Sequence, residues 1–178
     1  MRGENPSNII ESELMLFFLK TKELNDSYLK ERIINNFQKN DINLDSLILE
    51  GSSPRKELLD AYNKIDIALD PFPYSGNATS FEAIWMGVPV LTKKGFNFIS
   101  RTTESINHNA GMSNWIANDE NEYVTKAIEF SANLKNLSKI KNNLRQVSHD
   151  STLFNASLFA EQFNNALWKM WSNFISKT

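Results

Sequence analysis

The chain has 178 residues, of which 41% are hydrophobic and 22% charged, and it contains no cysteine. This is the composition of one globular domain with a real core; it excludes disordered and collagen-like classes, and with them disulfide and thiolate chemistry. A formal net charge of −2 gives no overall attraction to nucleic acid or an anionic membrane, so any anion site must be local.

Met1 to Ser12 is polar, carries Gly3 and Pro6, and reads as loop. Leu14 to Lys20 is apolar until its last residue and reads as a buried parallel strand, with Lys20 and Lys22 as its solvated end. Its apolar run is far short of the roughly 20 residues a membrane helix needs, and Glu11 and Glu13 before it do not suit a signal peptide, so a cytoplasmic location is expected. From Asn25 to Lys39, Tyr28, Leu29, Ile33, Ile34 and Phe37 recur at helical spacing. Leu47-Ile48-Leu49 within Asp45 to Gly51 marks a second strand. Ser53 then fits an N-cap, with Pro54 at the first position of a helix through RKELLDAYNK.

Asp66 to Thr92, DIALDPFPYSGNATSFEAIWMGVPVLT, packs a strand, a turn, a helix, a turn and a strand into one span. Asp66 to Asp70 alternates apolar and acidic residues, and Pro71 and Pro73 bar a helix there. Phe81, Ile84 and Trp85 fall at helical spacing, and Gly87 with Pro89 ends that helix before the apolar run Val88 to Leu91. A glycine-containing loop, Lys93 to Ile99, leads to a short helix that stops at Gly111. Trp115-Ile116 reads as a brief apolar contact, and Asn118 or Asp119 can cap a helix carrying Tyr123, Val124, Ala127, Ile128 and Phe130. Leu134 to Val147 is a more basic helix with Leu137, Ile140 and Leu144 on one stripe. The last helix, Ser157 to Ile175, lines up Phe159, Phe163, Ala166, Leu167, Met170, Trp171 and Phe174, a stripe expected to pack on the domain's own sheet, with partner docking as the other reading.

Alternating strands and helices predict a three-layer, Rossmann-like parallel sheet, in which ligands bind beyond the carboxyl ends of the strands. Asn77, Ala78 and Thr79 stand at such a point. A helix N-terminus offers unpaired N–H groups and partial positive charge, Gly76 lets a ligand come close, and the Thr79 hydroxyl can bond a phosphate oxygen. Equally, Thr79 and Glu82 fit a capping box, or Glu82 a ribose contact. His108 and His149 lie in polar segments without metal-ligand spacing and read as surface or structural residues. Asp66 and Asp70 make no defined acid/base pair. Neither a P-loop nor G-x-G-x-x-G is present.

Together, Asp66 to Thr92, the G-x-x-x-x-SR run Gly95 to Arg101, Glu122-Tyr123, SxLF at Ser151 to Phe154 and KMW at Lys169 to Trp171 resemble the carboxyl-terminal half of O-linked N-acetylglucosamine transferases and SPINDLY-like glycosyltransferases. The resemblance implies the carboxyl-terminal, donor-binding domain of a GT-B enzyme, with a UDP-sugar as donor substrate and no metal or other cofactor. It implies a donor site of Ser53, Arg55, Gly76, Asn77, Ala78, Thr79 and Glu82. The family's pyrophosphate loop, His-Thr-Thr or Thr-Thr-Thr, falls on Asn77, Ala78 and Thr79, so only Thr79 is retained; the ribose carboxylate falls on Glu82. Ser53 would offer backbone groups to the base and Arg55 a basic side chain to ribose or phosphate, while Leu58 stands where the family usually has His.

The resemblance further implies transfer of a sugar, N-acetylglucosamine in the family, to Ser or Thr hydroxyls of a protein acceptor. The family's first strand, its amino-terminal catalytic domain with the acceptor-side His, and its tetratricopeptide repeats are not matched. The expectation is thus a fragment or one half of a split enzyme, inactive alone, with Ser157 to Ile175 as its closing helix. Its expected partners are a nucleotide-sugar, a protein acceptor and, in the split case, an amino-terminal half on a separate chain, with no nucleic acid and no membrane. The other readings are a non-catalytic nucleotide-sugar binding or interaction module and a remnant that folds poorly alone.

Overall fold

The computed structural model describes residues 17–177, which form two compact units divided after Leu58. The loop read at Met1 to Ser12 and the start of the first strand lie outside the described residues.

In the first unit, β1 (Phe17–Lys20) pairs in parallel with β2 (Leu47–Glu50), Phe17 opposite Leu47 and Lys20 opposite Glu50. Parallel neighbours need a crossover, and α1 (Ser27–Lys39) provides it. Its cap is Asp26, whose carboxylate accepts the amides of Tyr28 and Leu29. Lys20 is not a solvated strand end: its side chain is 11% exposed and its Nζ lies 3.0 Å from Glu50 and 3.3 Å from the Gly51 carbonyl. A buried ammonium is retained only with such partners.

Helix α2 (Arg55–Ala61) begins one residue later than the proline pattern suggests. The Leu58 amide bonds the Pro54 carbonyl, so Pro54 is the half-in residue and Ser53 is not the N-cap. The Ser53 hydroxyl is buried without a hydrogen-bond partner among the described residues.

The second unit contains β3 (Ala68–Leu69), α3 (Ala78–Trp85), β4 (Val90–Lys93), α4 (Thr102–Asn109), β5 (Ile116–Ala117), α5 (Glu120–Ala132), α6 (Leu134–His149) and α7 (Ala156–Ile175). Its sheet runs β3-β4-β5, parallel throughout, with Ala68 opposite Val90 and Thr92 opposite Ile116. β5 is the strand that the contact at Trp115-Ile116 conceals; two residues show no periodicity. Val88, Val90 and Leu91 sit at the centre of the core, covered by Ala83 and Ile84 of α3, Ile106 of α4, and Leu137 and Leu144 of α6. Gly87 and Gly111 end α3 and α4 at φ +81° and +73°, where a Cβ would be strained.

The expectation for α7 fails. Its stripe does not pack on the sheet: Phe159, Phe163, Met170, Trp171 and Phe174 are each more than half exposed, and the whole helix is exposed beyond Leu158. A 3.6-residue apolar period signals a face that can be covered; it does not say by what. No helix among the described residues is long and apolar enough to cross a membrane.

Candidate anion site at the start of helix α3

Helix α3 starts at the carboxyl end of β3, after the turn 70–77. Its N-cap is Asn77, and the first intrahelical bond runs from the Phe81 amide to the Asn77 carbonyl at 3.1 Å. The amides of Ala78, Thr79 and Ser80 thus precede the helix's own ladder, and the Asn77 side chain makes no cap bond to them. Thr79 lies inside the first turn and is not the cap, so the Thr79–Glu82 capping box is not formed. Asn77, Ala78 and Thr79 are exposed, while Glu82, one turn on, is half-buried. Uncapped N–H groups, the helix dipole and an exposed hydroxyl together favour an anion.

The turn is held from beneath. Gly76 donates its amide to Asp70 Oδ1 at 2.6 Å, and its carbonyl accepts the hydroxyls of Thr102 at 2.8 Å and Thr103 at 2.9 Å. The other Asp70 oxygen accepts the Thr92 hydroxyl at 2.7 Å. Ser75 lies 2.7 Å from Thr102 and donates to the Ile99 carbonyl at 2.8 Å; Ser80 lies 2.9 Å from Thr103. A Cβ on Gly76 would collide with Ser80 Oγ and come within 2.9 Å of Thr79 Oγ1, so any side chain there would force these neighbours to shift. The Gly76 amide is thus turned toward Asp70.

Burial pushes the Asp70 carboxyl above its usual range, and bonds from the Gly76 amide and the Thr92 hydroxyl hold it down only in part. The Tyr123 hydroxyl donates to the Asp70 carbonyl at 3.2 Å; burial first, and the Asp70 charge second, push its pKa up to about 12.

The G-x-x-x-x-SR run has a local reason. A Cβ on Gly95 would collide with Ser100, and Arg101 grips buried Glu104 through two bonds of 2.8 and 3.1 Å. Ser53 and Arg55 belong to the first unit, where Arg55 is exposed. His108 and His149 are both exposed, beside Ser113 and Asp150, and no cluster of metal-ligating side chains occurs among the described residues. Asp70, Thr92, Thr102 and Thr103 escaped sequence reasoning. The available signal was register: Leu69 pairs with Leu91, which sets Asp70 beside Thr92.

Parallel strands joined by helices, with a polar turn and an uncapped helix start at a strand's carboxyl end, define a Rossmann-like α/β protein of the kind that binds ligands at that edge. The comparisons with known proteins go further. The family model for glycosyl transferase family 41 matches residues 16–163, and the chain belongs to that family. It is 32% identical over 116 residues to the probable UDP-N-acetylglucosamine–peptide N-acetylglucosaminyltransferase SPINDLY of Solanum lycopersicum, a match covering 65% of this chain and 12% of that protein. Against the UDP-N-acetylglucosamine–peptide N-acetylglucosaminyltransferase of Caenorhabditis elegans the identity is 24% over 111 residues, covering 62% and 10%. Among solved structures, a mutant Thermobaculum terrenum O-GlcNAc transferase superposes with a TM-score of 0.83 at 31% identity, over 89% of this chain and 30% of that one. The fold is thus the α/β fold of a GT-B glycosyltransferase, and the chain spans about an eighth of the length of the curated relatives it matches.

Proposed function

We propose that the chain is the donor-binding part of a glycosyltransferase that moves a sugar from a UDP-sugar, UDP-N-acetylglucosamine by the names of its relatives, to Ser or Thr hydroxyls of a protein. The observation that carries this reading is the uncapped start of α3 in a family 41 chain, with Thr79 exposed on its first turn. The amides of Ala78 to Ser80 and the Thr79 hydroxyl hold the donor diphosphate. They stabilise the charge that develops as it departs, as an oxyanion hole does, without a metal. Glu82, one turn along, accepts from the ribose. On the family resemblance, Ser53 is assigned to the base through its backbone groups and Arg55 to the ribose or phosphate. The same resemblance assigns the acceptor-side His and the protein acceptor's site to the amino-terminal half of the family's catalytic region, and the donor site to the residues named here.

Titration calorimetry of the chain with UDP, UDP-N-acetylglucosamine and a GDP-sugar tests this. Binding of the two uridine compounds in preference to the GDP-sugar, weakened by Thr79→Val, is expected. Absence of binding by all three would overturn the donor reading, and unchanged affinity in Thr79→Val would overturn the role of that hydroxyl.

A further inference from the structure

We infer that Asp70 is a positioning residue for the anion site at the start of α3, acting through the Gly76 peptide and touching no ligand itself. This rests on the donor-binding reading above and assigns the part of the fold that gives that site its shape.

Gly76 is held on both faces. Its amide goes to Asp70 and its carbonyl to Thr102 and Thr103, so the plane of the peptide that leads into Asn77 is fixed by three side chains. Asp70 is in turn held at its far oxygen by Thr92, which is fully buried on β4, and at its backbone carbonyl by Tyr123 of α5. The chain of support therefore runs from the middle of the sheet to Gly76, the residue before the N-cap Asn77. Without it the Gly76 amide is free to turn, and the direction of the following N–H groups turns with it. A site made of backbone donors has no side-chain rotamer to adjust, so its precision equals that of the turn beneath it.

The placement of a carboxylate here needs this explanation. An acidic side chain close to a diphosphate site opposes binding through its charge, and burying it carries a further cost. Asp70 is 5% exposed, and its two oxygens are met by the Gly76 amide and the Thr92 hydroxyl. An arrangement so costly in the turn between β3 and α3 is accounted for by what it fixes. A carboxylate can accept on both oxygens at once and so tie the turn to the neighbouring strand.

The test is calorimetric titration of the full chain with UDP, in which stoichiometry reports the folded fraction and Kd reports the site. Asp70→Ala is expected to weaken UDP binding about tenfold or more with stoichiometry retained, since a donor turned away from its ligand loses most of its contribution. Asp70→Asn keeps an acceptor for the Gly76 amide and is expected to recover affinity to within about threefold of the parent, because the role is geometric. Thr92→Val and Thr103→Val remove the supporting hydroxyls with little change in shape. They are expected to weaken UDP binding in the same direction, and they carry the test if Asp70→Ala does not fold. An unchanged Kd in the folded variants would overturn the inference while leaving the donor site intact. So would an Asp70→Asn protein as weak as Asp70→Ala. Failure of the parent chain to bind UDP would overturn the donor reading first, and this inference with it.

Discussion

Asp70 and Thr92, 22 residues apart in the chain, hydrogen-bond at 2.7 Å across the carboxyl ends of two neighbouring parallel strands. Register brings them together, since Leu69 opposite Leu91 leaves the next residue of each strand side by side. The bond joins the turn that enters α3 to the best-buried strand of the sheet, where Val90, Leu91 and Thr92 are at most 2% exposed.

Asp70 and Glu122 predict opposite responses to pH. Burial raises the Asp70 carboxyl above 3.8, so the folded protein keeps a proton that the unfolded chain has lost. Asp70 therefore favours folding most at acid pH, and that contribution falls as pH rises from about 3.8 through its raised folded value. Glu122 accepts from Lys126 and from the Asn118 amide and side chain, which lower its carboxyl from 4.5 to about 2. Its contribution is present above 4.5 and is lost as pH falls toward about 2. In thermal melts from pH 2 to 7, the difference between parent and Asp70→Asn should shrink with rising pH, and that between parent and Glu122→Gln should grow. Differences that do not move with pH would refute both assignments.

Gly76→Ala is expected to destabilise the second unit by about 1–3 kcal/mol, the usual cost of overpacking. The new methyl would meet Ser80 Oγ, which is buried and already bonded near Thr103, and Asp70 Oδ1 at 3.2 Å. Because Ser80 is the hardest contact, a second change, Ser80→Gly, should return part of the loss. Urea unfolding of the single and double variants measures the coupling, and strict additivity would show that the collision is relieved elsewhere.

Much of this was legible in the residues and some was not, for reasons that differ by position. The span from Asp66 to Thr92 announces a strand, a turn, a helix and a strand because proline, glycine and helical spacing each act locally. Asp70 reads as unpartnered because Thr92, which bonds it, is 22 residues away in sequence, and only strand register delivers it. At Ser53 the pattern of a cap was present, yet the helix begins after Pro54. Asn77 to Thr79 were correctly sited at a helix start, but whether a threonine there caps the helix or lies inside its first turn depends on one residue of phase. In α7 the apolar period gave the helix, and nothing in the period distinguishes a covered stripe from an exposed one.

That exposure makes α7 testable by contrast with the core. Phe163 is 55% exposed and Trp171 55%, so Phe163→Ser and Trp171→Ser should each change the unfolding free energy by about 0.5 kcal/mol or less. Leu144, 2% exposed on α6, should cost about 2–5 kcal/mol when changed to Ala. Replacing Trp168 and Trp171 together by Glu should also raise the concentration at which the protein begins to scatter light, because a large exposed apolar patch promotes association. A large loss of stability in the α7 variants would mean that the stripe is packed in solution.

Asn107 gives the sharpest test of how the sheet edge is held. It is fully buried on α4, and its amide donates to the carbonyls of Val90 at 2.8 Å and Trp115 at 3.3 Å, one on β4 and the other just before β5. The side chain thus stitches the start of a two-residue strand to the centre of the sheet, while its own oxygen has no partner among the described residues. Asn107→Ala should cost about 2 kcal/mol or more, since two buried carbonyls lose their donor. Asn107→Asp should be worse at neutral pH, because an ionised carboxylate would face two carbonyl oxygens, and better at acid pH, where the protonated form can donate to one of them. A melt of Asn107→Asp that rises from pH 7 to pH 4 relative to the parent is the expected result. One that stays parallel to the parent would show that the amide's donor bonds do not hold these two strands together.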